Sequence, residues 1–175
     1  MENFPKTIVR RGVKEDCVAI RAMIQELADF EKMPDGPEIT AEDIARDAGF
    51  TGEHPLIHTY IAEKIDDANS ALEPIGYAIC FLYYSTWQGR TYFLEDLYVR
   101  PTSRTSGVGR QLFTEIAKAA KENKCKRLDF HVLGWNPASE FYKKLGAIDL
   151  TETEDWHYFR VKAEEIDKIV SGGRG

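Results

Sequence analysis

The sequence predicts a single α/β domain built on a mixed sheet, and three observations carry that expectation. Three strand-like runs, residues 56–65, 74–85 and 91–99, follow one another through short or polar connections, the pattern of an antiparallel meander. The third run leads through a turn holding Gly107 and Gly109 into an amphipathic helix and on to a further strand. A crossover of that length implies parallel pairing. Finally, the chain has 175 residues, 43% of them hydrophobic and 30% charged, which suits one compact, well-cored domain. That domain is expected to span residues 1–175, with its core at 6–162 and a frayed tail at 171–175.

The elements follow in order. Residues 6–10 read as a short strand. Residues 15–31 read as a helix, because Cys17, Ile20, Ile24 and Leu27 recur on one face. Glu31 ends that stripe beside Phe30, where the helix should stop. It is either a solvated surface side chain or a carboxylate turned toward a substrate. Met33 to Pro37 breaks the chain with two prolines and a glycine. Thr40-Ala-Glu-Asp43 is a capping-box pattern and predicts a helix at 40–48. After a loop at 49–55 and the first two strands of the meander, separated by a polar loop at 66–73, Trp87 to Arg90 turns the chain into the third strand. The helix from 107 carries Val108, Leu112, Ile116 and Ala120 at intervals of four. Residues 126–133 alternate as a strand, and Gly134 to Pro137 breaks it. Asn136 is a natural N-cap and Pro137 a natural first residue for a helix at 137–145, which Gly146 stops. Residues 147–151 and 156–162 are expected to form a closing pair of strands around Trp156, and the chain from 163 starts helical.

The formal net charge of −6 argues mildly against nucleic acid as a partner and is compatible with cationic substrates, though it is also an ordinary acidic balance. No apolar run is long enough to cross a membrane, and the N-terminus lacks a signal-peptide pattern, so a cytoplasmic protein is expected. Cys17, Cys80 and Cys125 are odd in number, widely spaced and set in apolar segments, as expected of free buried thiols. His54 and His58 have zinc-like spacing only in a helix, which Pro55 and the β-rich run after it oppose, so no metal is expected.

Chemistry concentrates in residues 91–109. Glu95 and Asp96 stand side by side where a buried strand should be apolar. Strict alternation sends them to opposite faces, so one alone enters a cleft unless a bulge intervenes. The glycine turn that follows lets backbone approach a ligand and opens a helix whose first N–H groups favour an anion. Carboxylates feeding an anion-binding helix start suggest two ligands meeting, a phosphate-bearing cofactor and a cation or acid–base substrate.

These motifs together are similar to those of the GNAT N-acetyltransferases. Arg104-x-x-Gly107-x-Gly109 resembles their pyrophosphate loop. With Tyr92 to Val99, Trp135-Asn136, Phe141 to Ala147 and Asp149 to Trp156 it resembles the spermidine/spermine N1-acetyltransferase family over residues 6–162. Tyr84 to Arg90 and Asp149 to Glu152 are most similar to the branch associated with thialysine (S-aminoethyl-L-cysteine) rather than polyamines.

The resemblance implies the GNAT fold, a mixed sheet with helices on both faces, and acetyl-CoA as co-substrate. It places the cofactor on Leu97, Tyr98 and Val99, on Arg104, Thr105, Ser106, Gly107, Val108, Gly109 and Arg110, and on Asn136, Ala138 and Tyr142. It makes Glu95 the base, through a water, and Tyr142 the general acid. It points substrate recognition to Phe30, Glu31, Glu95, Asp96, Asp129, Phe130, His131, Glu154 and Trp156. It also implies a homodimer. Polyamines are the alternative amines, and an acyl-CoA-binding module without turnover is the alternative of another class. Two departures stand out. Thr105 replaces the usual glycine after the loop arginine, strained if the backbone there needs a positive φ, with its hydroxyl and that of Ser106 offered as phosphate donors. Ser85 stands where the polyamine branch tends to carry Asp.

Overall fold

The computed structural model describes residues 6–65 and 72–172. Most of the expected loop at 66–73, the N-terminal residues 1–5 and the end of the tail lie outside the described residues. The chain divides into two compact units, Met1–His131 and Val132–Gly175.

The first unit holds a five-stranded sheet in sequence order: β1 (Thr7–Arg11), β2 (His58–Ile65), β3 (Leu72–Ser85), β4 (Gly89–Val99) and β5 (Leu128–Phe130). Pairing is antiparallel from β1 to β4 and parallel between β4 and β5, as the meander and the crossover require. The β3–β4 hairpin closes on Ser85, whose Oγ accepts the N–H groups of Trp87 and Gln88 at 3.2 and 3.3 Å. Gly89 follows at φ 87°, a conformation that costs glycine nothing.

Helices cover both faces. On one face lie α1 (Cys17–Phe30) and α2 (Ala41–Asp47). Their buried Cys17, Ile20, Met23, Ile24, Ile44 and Ala45 pack over Ile61, Tyr77, Ile79 and Tyr98 of the sheet. The capping box of α2 forms as read: Thr40 Oγ1 accepts the Asp43 N–H, and the Asp43 carboxylate accepts the Thr40 N–H. On the other face α3 (Val108–Glu122) lays Val108, Leu112, Ile116 and Ala120 against Tyr60, Ala62, Ala78, Cys80, Tyr92 and Leu94. Each such burial of a large apolar side chain stabilises by about 2 kcal/mol. Gly76 on β3 faces Val99, and a Cβ there would stand 2.7 Å from the Tyr98 carbonyl oxygen, so the strands could not come this close with any larger residue. No helix among the described residues is long and apolar enough to cross a membrane.

The second unit consists of α4 (Ala138–Lys144), α5 (Leu150–Glu154) and α6 (Ala163–Val170). The N-cap is Pro137 rather than Asn136, and helical residues begin at Ala138; Asn136, one residue further out, still accepts the Ala138 N–H on its Oδ1 at 3.0 Å. The expected strands at 147–151 and 156–162 are not present. Instead the Asp149 carboxylate accepts the N–H groups of Thr151 and Glu152 and starts α5, and Asp155, at φ 58°, ends it. Local capping therefore overrides the alternation there. The strand expected at 126–133 is also shorter, three residues of β5, because its partner β4 changes course immediately after Leu94.

Candidate active site

That change of course is a β-bulge. Cys80 pairs with Leu94 and the next β3 residue, Ile79, pairs with Asp96, which leaves Glu95 as the extra residue. A bulge resets the alternation. Leu94 and Leu97 belong to the α3 face, while Phe93, before the bulge, stacks on Phe81 of the opposite face at 5.1 Å. Asp96, after it, is reached by Tyr77 of that same opposite face. The bulge thus turns Glu95 and Asp96 to one side of the sheet, the outcome plain alternation forbids.

The two carboxylates differ in setting. Glu95 is exposed, whereas Asp96 is half-buried and accepts a hydrogen bond from the Tyr77 hydroxyl at 2.9 Å. Burial pushes the Asp96 carboxyl up to about 6; the Tyr77 hydrogen bond opposes this, and the charges of Glu95 and Glu31 add to it. Glu31 caps the C-terminus of α1, as expected of the helix end, and is itself shifted upward by burial. Among the described residues no cation lies within ion-pair distance of Glu31, Glu95 or Asp96. Tyr77 was missed in the sequence, where it reads as one more aromatic of a buried strand. The available signal was its register: counting back along the hairpin sets residue 77 beside the acidic pair.

Beyond Leu94, β4 separates from β5, whose pairing ends at Leu94 with Phe130. The Arg100 N–H donates to Ile75 O, so the backbone groups of even-numbered residues here face β3 and those of Leu97 and Val99 face the open side. Tyr98 contributes its side chain instead, its hydroxyl donating to Glu26 at 3.2 Å. Glu26 also holds Arg100 in a paired hydrogen bond at 2.8–3.2 Å, tying α1 to the start of the loop. The Glu26–Arg100 tie carries no sequence signal, because its partners lie 74 residues apart.

The loop leads to Gly107, at φ 88°, which precedes α3 without any side-chain cap. The N–H groups of Val108, Gly109 and Arg110 therefore have no partner within the helix, and a Cβ on Gly107 would meet nothing within 4 Å. A cleft of about 310 Å³ beside the loop brings Lys64 of β2 and Glu73 of β3 together with Ser103, Arg104 and Ser106, so that its two cations face one carboxylate. These features fit a pyrophosphate. The Arg104 Nε donates to the Val99 carbonyl at 2.9 Å, and its guanidinium lies over the rings of Phe30 and Tyr98 at 5.1 and 5.6 Å. Thr105 takes a positive φ, 64°, so the condition for strain at this β-branched residue is met. Its hydroxyl donates to the Arg104 carbonyl and that of Ser106 to the Ser103 carbonyl, so both protons are used within the loop rather than offered to phosphate.

The remaining candidates fall elsewhere. Asp129 accepts hydrogen bonds from Tyr83 and from Arg127 Nε, and His131 meets Phe93 edge-on at 5.1 Å, all on the β5 side of the bulge. Phe130 packs edge-on against Phe113 of α3, on the opposite face. Ser85 is occupied in the hairpin. Asn136, Ala138, Tyr142, Glu154 and Trp156 belong to the second unit. There Tyr142 is buried against Phe141, and the Trp156 indole N–H donates to Glu154 at 2.7 Å.

The sequence profile of the acetyltransferase (GNAT) family matches residues 20–147. The thialysine N-epsilon-acetyltransferase of Bos taurus is 39% identical over 166 residues, covering 93% of this chain and 96% of its own. The spermidine/spermine N(1)-acetyltransferase-like protein 1 of Homo sapiens is 37% identical over 160 residues, covering 90% of this chain and 23% of its own. Among solved structures, an integron cassette protein from the mobile metagenome of V. cholerae has a TM-score of 0.70 at 22% identity, covering 94% of this chain and 97% of its own. An aminoglycoside acetyltransferase from an uncultured soil metagenomic sample has a TM-score of 0.69 at 13% identity, covering 92% of this chain and 98% of its own. The structures share the fold and the sequences share the family: the chain is a GNAT N-acetyltransferase.

Proposed function

We propose that this acetyltransferase moves the acetyl group of acetyl-CoA onto the primary amine of a small molecule, with thialysine as the favoured acceptor. The observation that carries the proposal is the bulge. It presents Glu95 and Asp96 on one face, near Glu31, with no cation of the protein's own among the described residues to neutralise them. Such a place suits an ammonium group. The likeness to thialysine acetyltransferases over nearly the whole chain supports the choice of amine, and thialysine's sulfur lowers the basicity of its terminal amine. The likeness to the human spermidine/spermine protein favours polyamines as the second reading.

Acetyl-CoA would supply an acetyl group activated as a thioester. The residues fitted to it are the N–H groups at the start of α3, with Lys64 and Arg104 nearby, for the pyrophosphate, and the backbone N–H groups of Leu97 and Val99 for the acyl end. A lysine-like amine has a pKa of about 10.4, so roughly one part in a thousand is nucleophilic at neutral pH and a proton acceptor is needed. The acidic pair at the bulge serves that need; the resemblance alone would give the role to Glu95, through a water. Tyr142 protonates the departing thiolate; a phenol with a reference pKa of about 10 keeps its proton at neutral pH. Assembly as a homodimer in the cytoplasm belongs to the same reading.

The test is amine-dependent release of CoA from acetyl-CoA, with thialysine, lysine, spermidine, spermine and putrescine, on the wild type and on Tyr142→Phe. Turnover strongest on thialysine and reduced about a hundredfold or more in the variant is expected. Turnover mainly on polyamines would overturn the choice of amine. Tight CoA binding without amine-dependent release would overturn the enzymatic reading in favour of a binding module.

A further inference from the structure

The resemblance assigns the base to Glu95, yet the bulge gives the two carboxylates unequal means. We propose that Asp96, seated by the Tyr77 hydroxyl, is the group that accepts the amine's proton, and that Tyr77 is its positioning residue, while the exposed Glu95 holds the ammonium cation at the mouth of the site. This rests on the acetyl transfer to a small amine argued above.

Three observations converge. Asp96 is fixed: the Tyr77 hydroxyl donates to its Oδ2 at 2.9 Å, and Tyr77 is fully buried between α1 and the sheet, with no room to swing. Glu95 is the unpaired residue of the bulge and is exposed, so nothing of this kind holds it. Among the described residues, the groups that act on the Asp96 carboxyl are Tyr77 from β3, Glu95 from β4 and Glu31 from the end of α1, with Tyr98 of β4 acting in turn on Tyr77. Further along α1, Glu26 is neutralised by Arg100, and Arg104 is engaged by Val99 and the two rings. A carboxylate in such company takes up a proton more readily than one in water, and a base works best when its pKa lies near the working pH. The Tyr77 hydrogen bond keeps the shift moderate, so that the group is still ionised before each turnover.

The protons balance. Of the three on the ammonium nitrogen, one passes to Asp96, freeing the lone pair that forms the new C–N bond as the C–S bond breaks. The departing thiolate takes the Tyr142 proton. A second nitrogen proton then restores the phenol through solvent, the third remains in the product amide, and Asp96 returns its proton to water.

The test compares pH profiles of kcat/KM for wild type, Tyr77→Phe, Glu95→Gln and Asp96→Asn, with carboxyl-carbon NMR titration of the same proteins without substrate. In the wild type, an acid limb and an Asp carboxyl midpoint both near 6 are expected. Tyr77→Phe removes the contact that favours the charged form, so limb and midpoint move up by about one pH unit. Glu95→Gln removes a neighbouring negative charge, so both move down, and KM for the amine rises. Asp96→Asn, which leaves Tyr77 an oxygen acceptor, abolishes the limb and lowers kcat/KM by about 10² or more. A limb that Glu95→Gln abolishes and Asp96→Asn leaves in place would overturn the assignment. So would a midpoint that ignores Tyr77→Phe, which the NMR titration reads even if that variant has lost turnover. Wild-type protein that turns over no amine at all would overturn the underlying acetyl-transfer reading and this role with it; wild-type turnover with an unmoved limb overturns the role alone.

Discussion

At the β1 edge of the sheet, Asp16 and Glu63 share one guanidinium; at the β4 bulge, Glu31, Glu95 and Asp96 share none among the described residues. Arg10 gives two hydrogen bonds to each partner at the edge, at 2.7–3.0 Å, and the two carboxylates are only 8% and 5% exposed. All four carboxylate oxygens accept a hydrogen bond from Arg10, so the charge of the cluster is matched within the protein. At the bulge a comparable concentration of negative charge meets a single phenol. The same residue type therefore serves cohesion in one place and, in the function proposed above, recognition in the other, and an internal cation is what separates them. A buried charge without a partner costs stability, and proteins keep that cost where function needs it.

The most severe way to break the contrast is to make the edge resemble the bulge. Arg10→Met strands two nearly buried carboxylates, and a loss of about 3–5 kcal/mol is expected in urea unfolding. Should the variant lose less than about 1 kcal/mol, the edge is not the closed ion cluster its geometry describes. The converse change, Asp96→Asn, relieves the bulge. The folded carboxyl has a pKa raised to about 6 from its ordinary 3.8, so folding favours the protonated form. The wild type is therefore best placed below about pH 4 and loses ground as pH rises through 4 to 6. The asparagine variant escapes that loss. It should be more stable than wild type by about 3 kcal/mol at pH 7, with the advantage vanishing near pH 4, even as its turnover collapses. Equal stabilities at both pH values would mean that the site carries no such electrostatic cost. A smaller effect sharpens the picture at the edge itself. Thr59 Oγ1 is buried there against Gly12 with no hydrogen-bond partner. Thr59→Val removes that orphan hydroxyl and should raise stability by about 1 kcal/mol by thermal or chemical denaturation.

Much of the fold was legible because its signals are local. The four-residue stripe from Val108 to Ala120, the capping box at Thr40 and Asp43, and the crossover that forces β4 and β5 to run parallel each depend on residues close in the chain. The end of α1 at Glu31 was read the same way. Where the reading failed, at residues 147–162, two local signals competed. Alternation suggested strands, but the Asp149 side chain reached the N–H groups of Thr151 and Glu152 first, and no neighbouring strand was present to reward extension. Thr105 was recognised as a departure in the loop, while the use of its hydroxyl by the Arg104 carbonyl depends on the turn the chain makes there.

The sequence by itself determined which residues are candidates for the chemistry, for adjacent carboxylates in an apolar strand and a glycine-opened helix are composition and spacing, and it determined the order of the elements that carry them. Only the tertiary structure decided how those residues are presented. The bulge that turns Glu95 and Asp96 to one face exists as a mismatch in length between β3 and β4. The bond from Tyr77 to Asp96 spans 19 residues across that pairing, and the paired contact of Glu26 with Arg100 spans 74. Strand register and long-range contacts are properties of two segments meeting, set by the packing of both faces at once, and no single stretch of chain contains them.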